Sequence, residues 1–165
     1  MGLIEENIER TQTLNIRAHR KDATLLDKES VEKADIVLAD VPCSGLGVIG
    51  KKTDIKYRTD EDKIQELAVL QKQILHNAAS YVKPGGILIY STCTITSEEN
   101  QSNVAWFTEN YPFVLESLDP YLCEELHSET TAQGWLQLLP GVHKTDGFFL
   151  ARMRKSKRNA GWTVL

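Results

Sequence analysis

Ala34-Asp35-Ile36-Val37-Leu38-Ala39-Asp40-Val41-Pro42-Cys43-Ser44-Gly45-Leu46-Gly47 is the stretch that decides the fold. Its first six residues are a short apolar run rich in β-branched side chains, a length that suits a buried strand of a parallel sheet. The run stops at Asp40. Pro42, Ser44, Gly45 and Gly47 then make a loop, in which proline fixes one backbone dihedral and the glycines allow a ligand to come close. A second stretch repeats the pattern. Gly86–Tyr90 (GILIY) reads as another buried strand and ends at Ser91-Thr92-Cys93-Thr94.

Between and around these strands the chain alternates. Leu3–Leu14 reads as a helix with Ile4, Ile8 and Thr11 on one stripe, and Ile16–Arg20 as a weak strand ending near Asp22. Thr59–Val82 is the strongest helix. Thr59 can cap it, the acids Asp60, Glu61 and Asp62 favour the positive end of its dipole, and Pro84-Gly85-Gly86 stops it. Its apolar face holds Ile64, Leu67, Ala68, Ile74, Leu75, Ala78 and Val82. Ser97 caps a further helix, Glu98–Asn110. Trp135–Leu139 and Gly147–Met153 read as two late strands, an antiparallel pair. The order predicts an open α/β sheet of mostly parallel strands, whose ligands lie beyond the carboxyl ends of the strands. Asp40, Cys43 and Cys93 all fall there.

Composition sets bounds without naming a function. The chain has 165 residues, 41% hydrophobic and 25% charged, which suits one domain and excludes a disordered polyampholyte or a collagen-like repeat. A net charge of −4 does not announce a nucleic-acid binder. Charge is unevenly placed, however. Eight acids and no Lys or Arg lie between Ser97 and Thr131, four basic residues lie between Lys51 and Arg58, and five lie between Arg152 and Arg158. These are solvated surface, or else two basic patches for a polyanion with an acidic face turned away. Three cysteines (Cys43, Cys93, Cys123) with no C-x-x-C pair give neither a disulfide framework nor a zinc site, and suit reduced thiols in the cytosol. The polar, acidic start is no signal peptide, and no apolar run approaches the ~20 residues that cross a bilayer.

Cysteine is among the most buried residue types, and Cys123, between Leu122 and Glu124, reads as core. Cys43 in a Pro/Gly loop and Cys93 at a strand end are either core or reactive thiols. His143, in the late loop, is a surface residue or a partner at the rim.

Together, DVPCSGLG, the long capped helix, K-P-G-G, YSTCT, I-K-Y-R at Ile55–Arg58 and D-G-F-F-L-A at Asp146–Ala151 resemble the RNA cytosine carbon-5 methyltransferases, and among them the bacterial Sun (Fmu) type that modifies 16S ribosomal RNA. The resemblance runs from the first helix to about Arg154. It implies a Rossmann-like class I methyltransferase sheet, with residues 1–155 as part of that domain and 156–165 as a basic tail. It implies S-adenosylmethionine as cofactor and 16S ribosomal RNA as partner, with no membrane and no metal. Cys93 is then the nucleophile, Cys43 the residue associated with release of the methylated product, and Asp40 the acid that contacts the target cytosine. Asp22 falls where such enzymes contact the adenine of the cofactor, and Asp40 borders the same site.

Such chemistry needs these residue types. Carbon 5 of cytosine is a poor nucleophile until a thiolate adds to carbon 6 and makes it enamine-like. The added group must be soft and must leave again, which suits a thiolate. Charge growing on the ring calls for Asp40, either protonated or through the amino group. A base then takes the carbon-5 proton, with Cys43 and a water both candidates. A base stacked in a helix is out of reach of a thiol, so the target is single-stranded or flipped. Lys51, Lys52, Lys56 and Arg58, directly after the Cys43 loop, are placed to hold phosphates.

The strand and glycine-rich loop that open the family's catalytic domain, and its amino-terminal RNA-binding region, have no counterpart in these residues. The expectation is therefore a sheet short of its first strands, weak or absent cofactor binding by this chain alone, and self-association through exposed edges. Two other readings stand beside this one. The first is a catalytically inactive fragment that binds RNA or another chain. The second is a thiol hydrolase using Cys93 or Cys43 with His143, which no local protease-type signature supports.

Overall fold

The computed structural model describes residues 2–51 and 60–157. Five strands form one mixed sheet in the order β1-β2-β5-β3, with β4 also pairing β5: β1 Ala34–Asp40, β2 Val82–Thr92, β3 Phe113–Leu115, β4 Trp135–Leu138 and β5 Phe148–Lys155. β1 and β2 are parallel, in a register that sets Asp40 opposite Ser91. β5 runs antiparallel to β2, β3 and β4, so the expected late antiparallel pair is present as β4–β5. The α/β class is as the sequence implies, while the parallel share is the β1–β2 pair alone among the described residues.

Helix α2 (Glu61–Tyr81) returns the chain from β1 to β2. Asp60 caps it, accepting from the Lys63 amide, whereas Thr59 lies outside the described residues. It ends one turn before the Pro-Gly-Gly stop, because Val82 already turns extended and β2 begins there rather than at Gly86. Helix α3 (Gln101–Asn110) starts later than the sequence suggests. Residues 97–100 form a turn in which the Ser97 carbonyl accepts from Asn100 and Ser102, so Ser97 is not a cap.

α2 packs on β1 and β2 and against α3. The core between them holds Leu75, Ala78, Ala79, Val82, Leu88, Tyr90, Val104, Phe107, Phe149 and Met153. Burying each large side chain contributes roughly 1.5–3 kcal/mol. One polar residue, Gln71, sits fully buried on the same stripe of α2.

The opposite face differs from expectation. β1 reads as a strand buried on both faces, yet Ile36 and Leu38 are 63% and 65% exposed. Alternation sends Val37 and Ala39 toward α2 and these two outward, where no described layer covers them. α1 (Gly2–Arg10) is shorter than Leu3–Leu14 and buries none of its residues, and 16–20 is not a strand, since no described strand offers it a ladder. Three of the five basic residues between Arg152 and Arg158 belong to the sheet. They lie in β5, with Arg152 and a bidentate Arg154 on Glu116, and Lys155 is buried against the Ala79 and Val82 carbonyls. The chain from 158 on lies outside the described residues.

Candidate active site

β1 and β2 are parallel neighbours, so the segments leaving their carboxyl ends emerge side by side. The Val41 amide continues the ladder onto the Ser91 carbonyl at 3.2 Å. Cys43 and Cys93 follow, and their sulfurs are 3.2 Å apart, with the Cys93 amide donating to the Cys43 sulfur at 3.3 Å. Both thiols are half-buried and free. The two stretches singled out by sequence thus meet at one rim. Cys123 does not join them and is exposed, contrary to the core reading, because it opens a short 3₁₀ turn in a polar loop.

Burial pushes the Cys43 thiol well above the ordinary range, and its hydrogen bond and electrostatic interaction with the neighbouring Cys93 act the same way. Cys43 therefore holds its proton at neutral pH.

Asp40 ends β1, and its carboxylate accepts from the Ser91 hydroxyl at 2.8 Å. Asp22 lies in a turn, where its Oδ1 accepts from both the amide and the hydroxyl of Thr24. Those bonds lower its pKa, and the carboxylate stays ionised. Asp22 and Asp40 face one cleft of about 560 Å³, walled also by Val37, Pro42, Ile74 and Tyr81. The volume is that of a small-molecule site, and apolar walls with two carboxylates suit a nucleoside whose amino or hydroxyl groups donate. S-adenosylmethionine fits that description.

Glycines bring a third segment to the rim. The Gly47 amide donates to the Cys93 carbonyl at 3.1 Å, and the Gly147 amide to the Gly47 carbonyl at 2.8 Å. Lys51 is exposed and pairs with Asp146, whereas Lys52, Lys56 and Arg58 lie outside the described residues. His143 holds its own turn, its Nδ1 accepting from the Leu139 amide, and is committed away from the thiols. Among the described residues no His/Cys/Asp/Glu cluster has metal-binding geometry, and no helix is long and apolar enough to cross a membrane.

Sequence reasoning missed the groups behind the thiols. Glu99, counted with an acidic surface, is fully buried. Its Oε2 accepts from the Ser44 amide (2.9 Å) and Gln71 Nε2 (2.8 Å), and its Oε1 from the hydroxyls of Ser44 (2.5 Å) and Thr96 (2.9 Å). Gln71 also donates to the Pro42 carbonyl. Asn100 accepts from Thr92 Oγ1 at 2.6 Å and donates to the Thr94 carbonyl at 3.1 Å. An acid next to a helix start in S-E-E-N carries no periodic signal that would have marked it as buried.

A mixed α/β sheet with ligand-sized space at its carboxyl rim is the fold of part of a class I methyltransferase domain, and comparison with known proteins agrees. The chain superposes on the crystal structure of PH0851 with a TM-score of 0.84 and 36% identity, covering 94% of this chain and 34% of that one. It superposes on NSun6 from Pyrococcus horikoshii with SFG at 0.74 and 28%, covering 94% and 38%. Ribosomal RNA small subunit methyltransferase F of Escherichia coli O139:H28 is 33% identical over 156 residues, 94% of this chain and 33% of that protein. The family model described as 16S rRNA methyltransferase RsmB/F matches residues 1–154, and the chain belongs to that family. It spans about a third of the length of the curated relatives it matches.

Proposed function

We propose that these residues form the thiol-bearing wall of an S-adenosylmethionine-dependent methyltransferase that makes 5-methylcytosine in 16S rRNA through a covalent cysteine adduct. The observation that carries the reading is the 3.2 Å approach of two sulfurs from segments 50 residues apart, next to the cleft shared by Asp22 and Asp40.

Cys93 adds to carbon 6 of an unstacked cytosine. The sulfur–carbon bond forms as the 5,6 double bond gives up its π electrons, and carbon 5 becomes nucleophilic. Asp40 meets the base at its amino edge. S-adenosylmethionine, when bound, supplies an electrophilic methyl group, and Asp22, Asp40, Val37 and Tyr81 are the residues that would hold it. Loss of the carbon-5 proton to a base returns the electron pair to the ring and expels the Cys93 sulfur. Cys43 serves this last step. A thiol that keeps its proton donates across to the departing sulfur and makes it the better leaving group.

The test uses the enzyme with methyl-labelled cofactor and a 16S rRNA fragment. Cys93→Ala loses both methyl transfer and adduct. Cys43→Ala accumulates an RNA–protein adduct that survives a denaturing gel. Absence of that adduct overturns the division of labour between the thiols.

A second reading, a non-catalytic fragment that pairs with RNA or another chain, is favoured by the exposed Ile36 and Leu38 on β1. Sedimentation distinguishes it: concentration-dependent association that Leu38→Lys abolishes supports pairing, and a monodisperse wild-type monomer argues against it.

A further inference from the structure

The thiol spacing needs an explanation, because each sulfur sits on a loop and two loops do not hold a 3.2 Å contact unaided. Both loops are tied to one turn. Glu99 reaches the residue after Cys43, taking both the amide and the hydroxyl of Ser44, and Gln71, itself bonded to Glu99, takes the carbonyl of Pro42 before it. The Cys43 segment is thus clamped on both sides. Asn100 does the same for Cys93, accepting from the Thr92 hydroxyl before it and donating to the Thr94 carbonyl after it. A cross-tie joins the two clamps. Ser44 has one hydroxyl proton, and Glu99 takes it, so at the 2.7 Å contact between Ser44 and Thr94 the Thr94 hydroxyl is the donor. Glu99 and Asn100 are both fully buried, where their polar atoms need hydrogen-bond partners, and these bonds supply them.

We infer that Glu99 and Asn100 are positioning residues, an adjacent pair in one turn that fixes the Cys43 and Cys93 loops respectively and so sets the distance between the two sulfurs. The geometric part stands on these bonds alone. Its consequence for catalysis rests on the proposed function above. Under that reading, loosening Glu99 impairs release, and loosening Asn100 impairs addition.

Disulfide formation measures the spacing without RNA or cofactor. The 165-residue chain, carrying Cys123→Ser to remove the exposed thiol, is reduced and treated with diamide. Cys43 and Cys93 lose two protons and two electrons and form one S–S bond, and the azo group of diamide is reduced to a hydrazine. The rate is read by mass spectrometry of the cross-linked peptides, beside the melting temperature of each variant. Glu99→Ala, Asn100→Ala and Ser44→Ala are expected to slow the cross-link at least ~tenfold, below the ~100-fold that a full 1 Å misplacement of an oriented pair can cost. Glu99→Gln is expected to restore most of the rate. Its amide oxygen accepts from Ser44 and Gln71, and the hydroxyls of Ser44 and Thr96 turn to accept from its nitrogen. A general structural role would lower the melting temperature without this ordering. Rates within about twofold of wild type in folded Glu99→Ala and Asn100→Ala chains overturn the inference. Should either fail to fold, Ser44→Ala decides, since it removes only a half-buried hydroxyl. Failure of Cys43→Ala to trap RNA overturns the proposed division of labour between the thiols and leaves this measurement unaffected.

Discussion

At the scale of single residues, the site is built where side chains are small or absent. Gly47 passes between two other segments, and a Cβ placed on it would lie 2.8 Å from the Cys93 carbonyl oxygen and closer still to that of Gly147. Seen from the other side, a Cβ on Gly147 would meet the Gly47 Cα and a methyl of Ile95 at 2.6 Å. The contacts at Gly47 are all with backbone, so no side-chain rotation relieves them. Gly47→Ala is expected to cost about 1–3 kcal/mol, the range for overpacking a tight contact, read as a lower urea midpoint with an unchanged slope. A change below about 0.5 kcal/mol would mean that the loop yields freely and does not hold Cys93 from that side. The glycines of the Pro-Cys loop announce close approach in the sequence, but the body that approaches is the chain's own backbone as well as any ligand.

At the scale of elements, what was legible followed periodicity and punctuation. The strands before Asp40 and Cys93 showed as apolar runs with turn residues behind them, and the parallel return through a long helix then placed both cysteines on one rim. The late strands were legible on the same ground. The turn at 97–100 was not, because a buried acid in a turn follows no period and its bonds go to residues far along the chain, Ser44 and Gln71 among them. The segment 16–20 was misread for a complementary reason: it has a strand's composition but no described neighbour to ladder with. Helix α2 was read well along its stripe and misjudged at its cap by one residue. Asp60, with an extended backbone, accepts from the Lys63 amide at 2.9 Å and satisfies one of the helix's orphan donors. Asp60→Ala is expected to lower stability by roughly 1 kcal/mol, with Asp60→Asn nearly neutral. Equal losses in the two variants, measured by urea unfolding, would show that charge rather than capping is what Asp60 contributes.

At the scale of the whole molecule, burial of neutral acids couples the site to stability at high pH. Burial raises the pKa of Cys43 from its ordinary 9.0 and that of Tyr90 from its ordinary 10.0. Tyr90 lies in the core with its hydroxyl on the Glu99 carbonyl, so the same packing that carries the two clamps keeps both protons in place. Above the ordinary values the unfolded chain has released these protons and the folded chain has not. The folded state then binds more protons, and stability must fall as pH rises. Lys21 and Lys63, held charged by Asp27 and Glu66, act with the same sign, though they are exposed and screened. The stabilisation is therefore whole below pH 9 and is lost progressively above it. Melting temperatures are expected to decline from roughly pH 9 to pH 11, and Cys43→Ala to flatten the first part of that decline, because it removes the group that ionises first in the unfolded chain. A flat or rising profile across that window would mean that the Cys43 thiol ionises as readily in the fold as out of it. Cys43 would then not be the proton-holding partner that the release step requires.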